Sequence, residues 1–356
     1  MAKRGAWRWW LAAAMAATAI LLASTTPSPY AIQAPGPVVD VFGTIETEDG
    51  TFDVLQVDGT ETYETAGSLN VLSVVISGSP EHPASWLRVL GAMTDPTKQI
   101  LPREAVFPDE VSSDERTQQN AELMLSSQAT ATAAALNKLG TPPQSTVVVA
   151  GVFEDGPAVG TLREGDLLLG VDGKAVSTVA ELRAEVGDRE AGDAALLEVE
   201  REGRRLEISL VPESLDGSGE LMLGVTAAPE LDVPFDVELE LDRIGGPSAG
   251  LVFALAVYDL LTPGELTGGL AISGTGTMDV DGTVGPIGGL SSKLWAAASA
   301  GTDLMLMPVE NCADLPERLP AGMKIVPVAD LDEAVEAIGS VAAGGSAAGV
   351  ERCRAG

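Results

Sequence analysis

Gly245-Gly246-Pro247-Ser248-Ala249-Gly250 leads into Leu251-Val252-Phe253-Ala254-Leu255-Ala256-Val257, with Leu260 and Leu261 one turn further on. The glycines and proline mark a turn, and the run after them has helical length with apolar residues on every face. A helix without a polar face must be buried. Ser248 is therefore expected at the positive end of a central helix, where backbone N–H groups lack intrahelical partners. Flanking glycines let another backbone approach closely. Such a place suits a nucleophile whose attack creates an oxyanion. Read alone, Gly-Pro-Ser is first of all a plain helix cap, because serine is favoured there. Around it, residues 221–342 alternate strand-like and helix-like stretches, the pattern of an α/β domain.

A serine nucleophile needs a base. The 356-residue chain has one histidine, His82, set in the turn-like Ser79-Pro80-Glu81-His82-Pro83, where a solvated side chain is expected. Lys293 is the other candidate. It follows the turn Gly285-Pro286-Ile287-Gly288-Gly289, in a helix expected from about Leu290 to Ala300. Leu290, Lys293, Leu294 and Ala297 fall at i, i+3, i+4 and i+7 and share one face. Two readings stay open on spacing alone. The lysine stem lies along an apolar surface with its ammonium in water, or the amine is desolvated and its pKa depressed.

Composition narrows the alternatives. There are 52 acidic against 21 basic residues and a formal net charge of −31, so nucleic-acid binding is not expected. With one histidine and two cysteines, Cys312 and Cys353, a zinc site of several His and Cys ligands is excluded. Cys353 stands in a Gly/Ala-rich tail, and both cysteines are expected to be unpaired. Gly173-Lys174 lacks the upstream glycine of a Walker A loop, so ATP-driven chemistry within this chain is not expected, and no cofactor is called for.

Residues 141–215 form a unit of another kind. Val147-Val148-Val149-Ala150 reads as a buried strand, Val179–Val186 as a helix, and Glu202-Gly203 as the turn of a hairpin between Ala194–Arg201 and Arg204–Val211. Asp155-Gly156-Pro157-Ala158, Glu164-Gly165-Asp166-Leu167-Leu168-Leu169 and Val171-Asp172-Gly173-Lys174 together resemble a bacterial PDZ domain. The resemblance implies capture of peptide C-termini or extended segments by strand addition. It puts a carboxylate-binding loop before Val147, where Leu139-Gly140-Thr141-Pro142-Pro143 is an unusual form. A unit that only packs on or gates its neighbour is the alternative.

Gly246-Pro247-Ser248-Ala249-Gly250, Thr275-Gly276, Gly285-Pro286-Ile287-Gly288-Gly289-Leu290 with Lys293-Leu294, and Met307-Pro308-Val309-Glu310-Asn311 strongly resemble the Lon protease domain. The likeness runs from about Asp232 to Val341. It implies a Ser-Lys dyad of Ser248 and Lys293, with Thr275 orienting the amine. Backbone N–H groups of Gly246 and Ser248 are the expected oxyanion donors, since Pro247 has none. Thr277 stands where the family commonly has an acidic residue, and Ser291-Ser292 where charged residues are common. Neither touches the dyad. The whole chain resembles membrane-anchored bacterial proteins, best their actinobacterial branch, with a PDZ domain ahead of a Lon-type protease domain and no ATPase. The implied activity is ATP-independent serine endopeptidase cleavage of unfolded or exported proteins. A catalytically inert PDZ adaptor and a self-processing protein are the rivals. Lon-type domains often form rings, so a homo-oligomer is implied.

At the N-terminus, Lys3, Arg4 and Arg8 flank an apolar run from Trp9 to Ala23. Positive charge ahead of such a run stays cytoplasmic and sends the remainder of the chain across the membrane. The expectation is a transmembrane anchor over 1–33, with a cleaved signal as the alternative, and an exported remainder. Residues 34–140 read as a mixed α/β region. Its last helix starts from a Ser112–Glu115 capping box and stops at Gly140. Residues 343–356 read as a flexible tail. The expected fold class is thus multi-domain: a transmembrane helix, this α/β region, a β-rich PDZ-like domain at 141–215 and an α/β Lon-type domain at 221–342.

Overall fold

In the computed structural model, which describes residues 6–47, 50–107, 113–153, 156–214, 221–233, 235–239 and 246–354, the chain divides into two units. One comprises Met1–Thr141 with Phe235–Gly356, and the other Pro142–Pro234.

The first unit is built on a mixed six-stranded sheet. Its elements in chain order are α1 (Ala6–Thr25), β1 (Tyr30–Asp40), β2 (Ser68–Ser77), β3 (Gln99–Pro102), α2 (Ser113–Lys138), α3 (Gly250–Leu260), β4 (Ala271–Gly274), α4 (Leu290–Ser299), β5 (Leu304–Pro308), β6 (Lys324–Val328) and α5 (Leu331–Ala342). The strand order is β6-β5-β4-β2-β1-β3. The pairs β6/β5, β5/β4 and β4/β2 are parallel, while β2/β1 and β1/β3 are antiparallel. Leu304-Met305-Leu306-Met307-Pro308 is buried at every position, as a parallel strand covered on both faces requires. On one face α3, buried from Gly250 to Val257, packs against α2, β2, β4 and α5. On the other, Leu290, Leu294 and Ala297 of α4 pack with Leu72, Met305 and Met307. β1 and β2 come from the stretch read as a separate α/β region, yet they belong to the same sheet as β4–β6. Their pairing spans some two hundred residues, which no local pattern announces.

Helix α2 ends as expected. Gly140 has φ +75°, its N–H bonds the Asn137 carbonyl, and the Thr141 N–H bonds that of Leu136, a Schellman stop. The proposed Ser112–Glu115 cap lies outside the described residues.

The N-terminal transmembrane helix is not supported. Ala6–Thr25 is helical, but among the described residues no helix is long and apolar enough to cross a membrane. The physical reason is length: the apolar run Trp9–Ala23 falls short of the ~20 residues a span needs.

The cysteines also correct the sequence reading. Cys312, in the 3-10 turn Val309–Asp314, is disulfide-bonded to Cys353, with Cα atoms 5.1 Å apart. The tail is seated by packing and charge. Val350 lies against the α4 cluster, and Arg352 grips the Glu333 carboxylate with two bonds of 2.7 and 2.9 Å.

The second unit is an antiparallel sheet in the order Arg204–Leu210, Ala195–Arg201, Leu167–Val171, Gln144–Val152, Val225–Asp232, with a helix at Val179–Gly187. Glu202 and Gly203 at the hairpin turn have φ +51° and +72°, the pair of positive values a two-residue type I′ turn demands. Buried Asp166 takes both arms of Arg201, at 2.7 and 2.6 Å, and the Arg163 N–H at 2.8 Å. That fixes the Glu164-Gly165-Asp166 turn to the neighbouring strand.

The disulfide closes a loop with a sequence separation of 41. Cys353→Ser is expected to lower the unfolding free energy of the first unit by about 2–4 kcal/mol. Urea unfolding without reductant checks this, and an unchanged midpoint contradicts a structural role.

Candidate active site

The site begins with backbone. Gly246 has φ +138°, a value that side chains resist. Pro247–Ala249 then form a 3-10 turn leading into α3. At Gly250 a Cβ would come within 2.9 Å of the Met278 backbone N, so no larger residue fits there. The segment after β4 clamps this turn from one side. Gly276 N–H and Thr275 Oγ1–H both donate to the Ser248 carbonyl, at 2.9 and 3.1 Å, and Leu251 N–H donates to the Gly276 carbonyl at 3.1 Å. Thr275 is fully buried. Because its proton is committed to the Ser248 carbonyl, its oxygen lone pair is free to face an amine.

That amine is Lys293. Gly289, with φ +74°, starts α4, and the Lys293 N–H bonds the Gly289 carbonyl. The Lys293 side chain is only 3% exposed. Its Nζ donates to Ser248 Oγ at 2.7 Å and to Thr275 Oγ1 at 2.9 Å. Burial pushes its pKa down from 10.5 to about 8, because an ammonium removed from water loses solvation that two hydroxyls restore only in part. Of the two readings that spacing leaves open, the structure holds the desolvated amine. Ser248, Lys293 and Thr275 thus converge. Gly246 and Ser248 lie at the mouth of the same cleft, where early helical N–H groups lack intrahelical acceptors. His82 is exposed in its bend.

The cleft is about 300 Å³ and is lined by Pro37, Val71–Val75, Gly246, Ser248, Ala249, Gly288 and Lys293. Sequence reasoning missed Pro37 and Val71–Val75. The β4/β2 pairing ends at Gly274 opposite Val71, so β2 runs past the end of β4 alongside the dyad. An ordinary valine-rich strand carries no local mark of that position.

The second unit has a concavity of its own, about 400 Å³, between Val179, Leu182, Arg183 and Val186 of its helix and Leu221–Leu223 and Val225–Ala227 of its outer strand. The sequence reading put the ligand loop before Val147. The structure instead brings Leu221-Met222-Leu223-Gly224, from the other end of the unit, to this groove. The Gly224 carbonyl, at φ +75°, accepts from Phe153 N–H at 2.9 Å. Leu139–Thr141 serve as the stop of α2. The strand Val225–Asp232 pairs with Gln144–Val152 and ends the sheet order, and among the described residues no strand pairs with its other side.

Comparison with known proteins finds two family matches. Residues 243–339 match the Lon protease (S16) C-terminal proteolytic domain, and residues 120–211 match the PDZ domain family. The Lon protease of Phenylobacterium zucineum is 32% identical over 160 residues, 42% of this chain and 19% of its own. That of Clostridioides difficile is 42% identical over 94 residues, 26% of this chain and 12% of its own. A solved PDZ domain from the SdrC-like protein of Listeria monocytogenes is 25% identical over 23% of this chain and 85% of its own, with a TM-score of 0.22. The chain therefore spans less than a fifth of the length of these curated relatives. Two stretches of it are thus similar to a Lon-type proteolytic domain and to a PDZ domain.

A buried amine of this kind destabilises the fold that holds it. With the folded pKa below the unfolded one, the unfolded chain binds more protons between pH 8 and 10.5, so stability rises with pH across that window. Lys293→Met, of similar length and apolar, is expected to be more stable than wild type at pH 7 by up to about 3 kcal/mol. The gap should shrink to about 1 kcal/mol at pH 10. Urea unfolding at the two pH values measures it; a pH-independent gap contradicts a depressed lysine.

Proposed function

We propose that this chain is an ATP-independent serine endopeptidase in which Ser248 is the nucleophile and Lys293 the general base. The observation that carries the reading is the 2.7 Å contact between a buried lysine amine and a serine hydroxyl at a helix start. When Lys293 sheds its proton, its nitrogen lone pair takes the place of the N–H directed at Ser248 and accepts the hydroxyl proton. Thr275, still accepting from a remaining N–H, keeps the amine aimed. Ser248 Oγ attacks the scissile carbonyl, and the tetrahedral oxyanion is held by the N–H groups of Gly246 and Ser248. Lys293 returns the proton to the leaving amine. Water, deprotonated by the same amine, then hydrolyses the acyl-enzyme and restores Ser248.

The substrate reading comes from the cleft and the groove. An extended segment laid along Val71–Val75 brings a backbone carbonyl to Ser248, which favours unfolded or already clipped chains. No Walker A pattern stands in these 356 residues to drive unfolding. The PDZ groove, with an open strand edge beside Leu182, Val186, Met222 and Leu223, recruits peptides with apolar C-termini by strand addition. Work outside the cytoplasm is supported by the Cys312–Cys353 bond, since structural disulfides persist in oxidising compartments.

Turnover of an unfolded protein without nucleotide is the test. Ser248→Ala should lose at least about 10³-fold in kcat. The wild-type rate should climb about tenfold per pH unit below pH 8 and level off above it, because only the neutral lysine acts as base. Cleavage by Ser248→Ala at the wild-type rate removes this function.

A further inference from the structure

The turn Gly285–Gly289 leads into α4 and delivers Lys293 to the site. Its outer side is held by Asn311. That side chain is 2% exposed. Its Oδ1 accepts from the Ile287 N–H at 2.9 Å, and its Nδ2 donates to the Ile287 carbonyl at 2.9 Å and to Asp314 Oδ2 at 2.7 Å. The carboxamide thus grips both polar groups of one residue in the middle of the turn, while Asp314 fixes which end is donor. Gly288, the next residue, lines the cleft with Lys293. Gly289, the one after, accepts the Lys293 N–H. The turn is tied at its start too, where Val284–Gly285 pairs with Thr277–Met278 just beyond Thr275. Asn311 is itself anchored, since its neighbour Cys312 is bonded to Cys353. Ile287, Cys312 and Cys353 pack on the same cluster as Leu290 and Leu294.

We propose that Asn311 is a positioning residue for the dyad: its two-point grip on Ile287 sets where α4 begins, and so holds the Lys293 amine dry and aimed at Ser248. Without the grip, the two freed backbone groups of half-buried Ile287 turn to water instead, and the turn loosens. The amine then sits off line and becomes better solvated. Misplacement on the scale of 1 Å costs about 10²-fold in rate, while binding of the peptide along β2 is left alone.

The inference rests on the Ser248–Lys293 reading, and the experiment separates the two. The Lys293 amine is titrated by NMR in the full chain, assigned with Lys293→Met, in wild type, Asn311→Ala and Asn311→Asp. The last keeps size and the acceptor but faces the Ile287 carbonyl and Asp314 with negative charge, so it provides a second variant if Asn311→Ala does not fold. Expected are a depressed pKa in wild type, a rise of about one unit or more in both variants, a kcat lower by 10- to 100-fold, and a KM within about twofold of wild type. Asp314→Asn added to Asn311→Asp restores a donor for the new carboxylate and should recover part of the kcat. A folded variant with wild-type pKa and kcat overturns the role of Asn311. A wild-type amine titrating at the ordinary lysine value overturns the dyad reading, and the role of Asn311 with it.

Discussion

A lysine amine kept out of water, with two hydroxyls for company, is the constraint around which the first unit is arranged. An ammonium in that place is costly, and among the described residues the Lys293 amine bonds Ser248 Oγ and Thr275 Oγ1. A carboxylate beside it would hold the proton and spoil a base. Hydroxyls steer the amine without trapping its proton. Thr275 does so by spending its own proton on the Ser248 carbonyl, so one side chain orients the Lys293 amine and braces the Ser248 turn.

The surrounding architecture supplies dryness and precision. The helix α3 is apolar and buried from Leu251 to Val257 and follows directly on the turn that holds Ser248, while α4 brings Lys293 from the opposite face of the sheet. Glycines stand where a Cβ would collide, as at Gly250 against Met278, or where the chain must turn left-handed, as at Gly289. The second unit has a separate core of valines and leucines and its own groove.

What could be read from the sequence was what is local. An all-apolar helix after Gly-Pro-Ser, the Glu202-Gly203 hairpin and the glycine stop of α2 each arise from a few consecutive residues. Ser248, Lys293 and Thr275 stand out because their motifs are distinctive, though spacing alone leaves the lysine undecided between solvent and core. What depends on distant pairing stayed hidden. Val71–Val75 are cleft wall only because β2 outruns β4, and Leu221–Gly224 reach the groove of the second unit only because the last strand of the unit lies beside the first. Cys312 and Cys353 pair because Arg352 and Val350 seat a tail whose composition suggests looseness. At the N-terminus an apolar run behind basic residues suggests a span, and the length of that run does not sustain it. Asn311 belongs to a distinctive motif, but its grip on Ile287 is a contact across 24 residues that only the fold reveals.

The central claim is that Ser248 is a nucleophile activated by Lys293. Capture of the covalent intermediate tests it most directly: the full chain is mixed with a small activated peptide ester at pH 9 and its intact mass followed in time. The account predicts a single acyl adduct that maps to Ser248 and forms in wild type, is absent from Ser248→Ala, and is slowed by orders of magnitude in Lys293→Met. An adduct that forms in Lys293→Met as fast as in wild type, or none on wild-type Ser248, would contradict it.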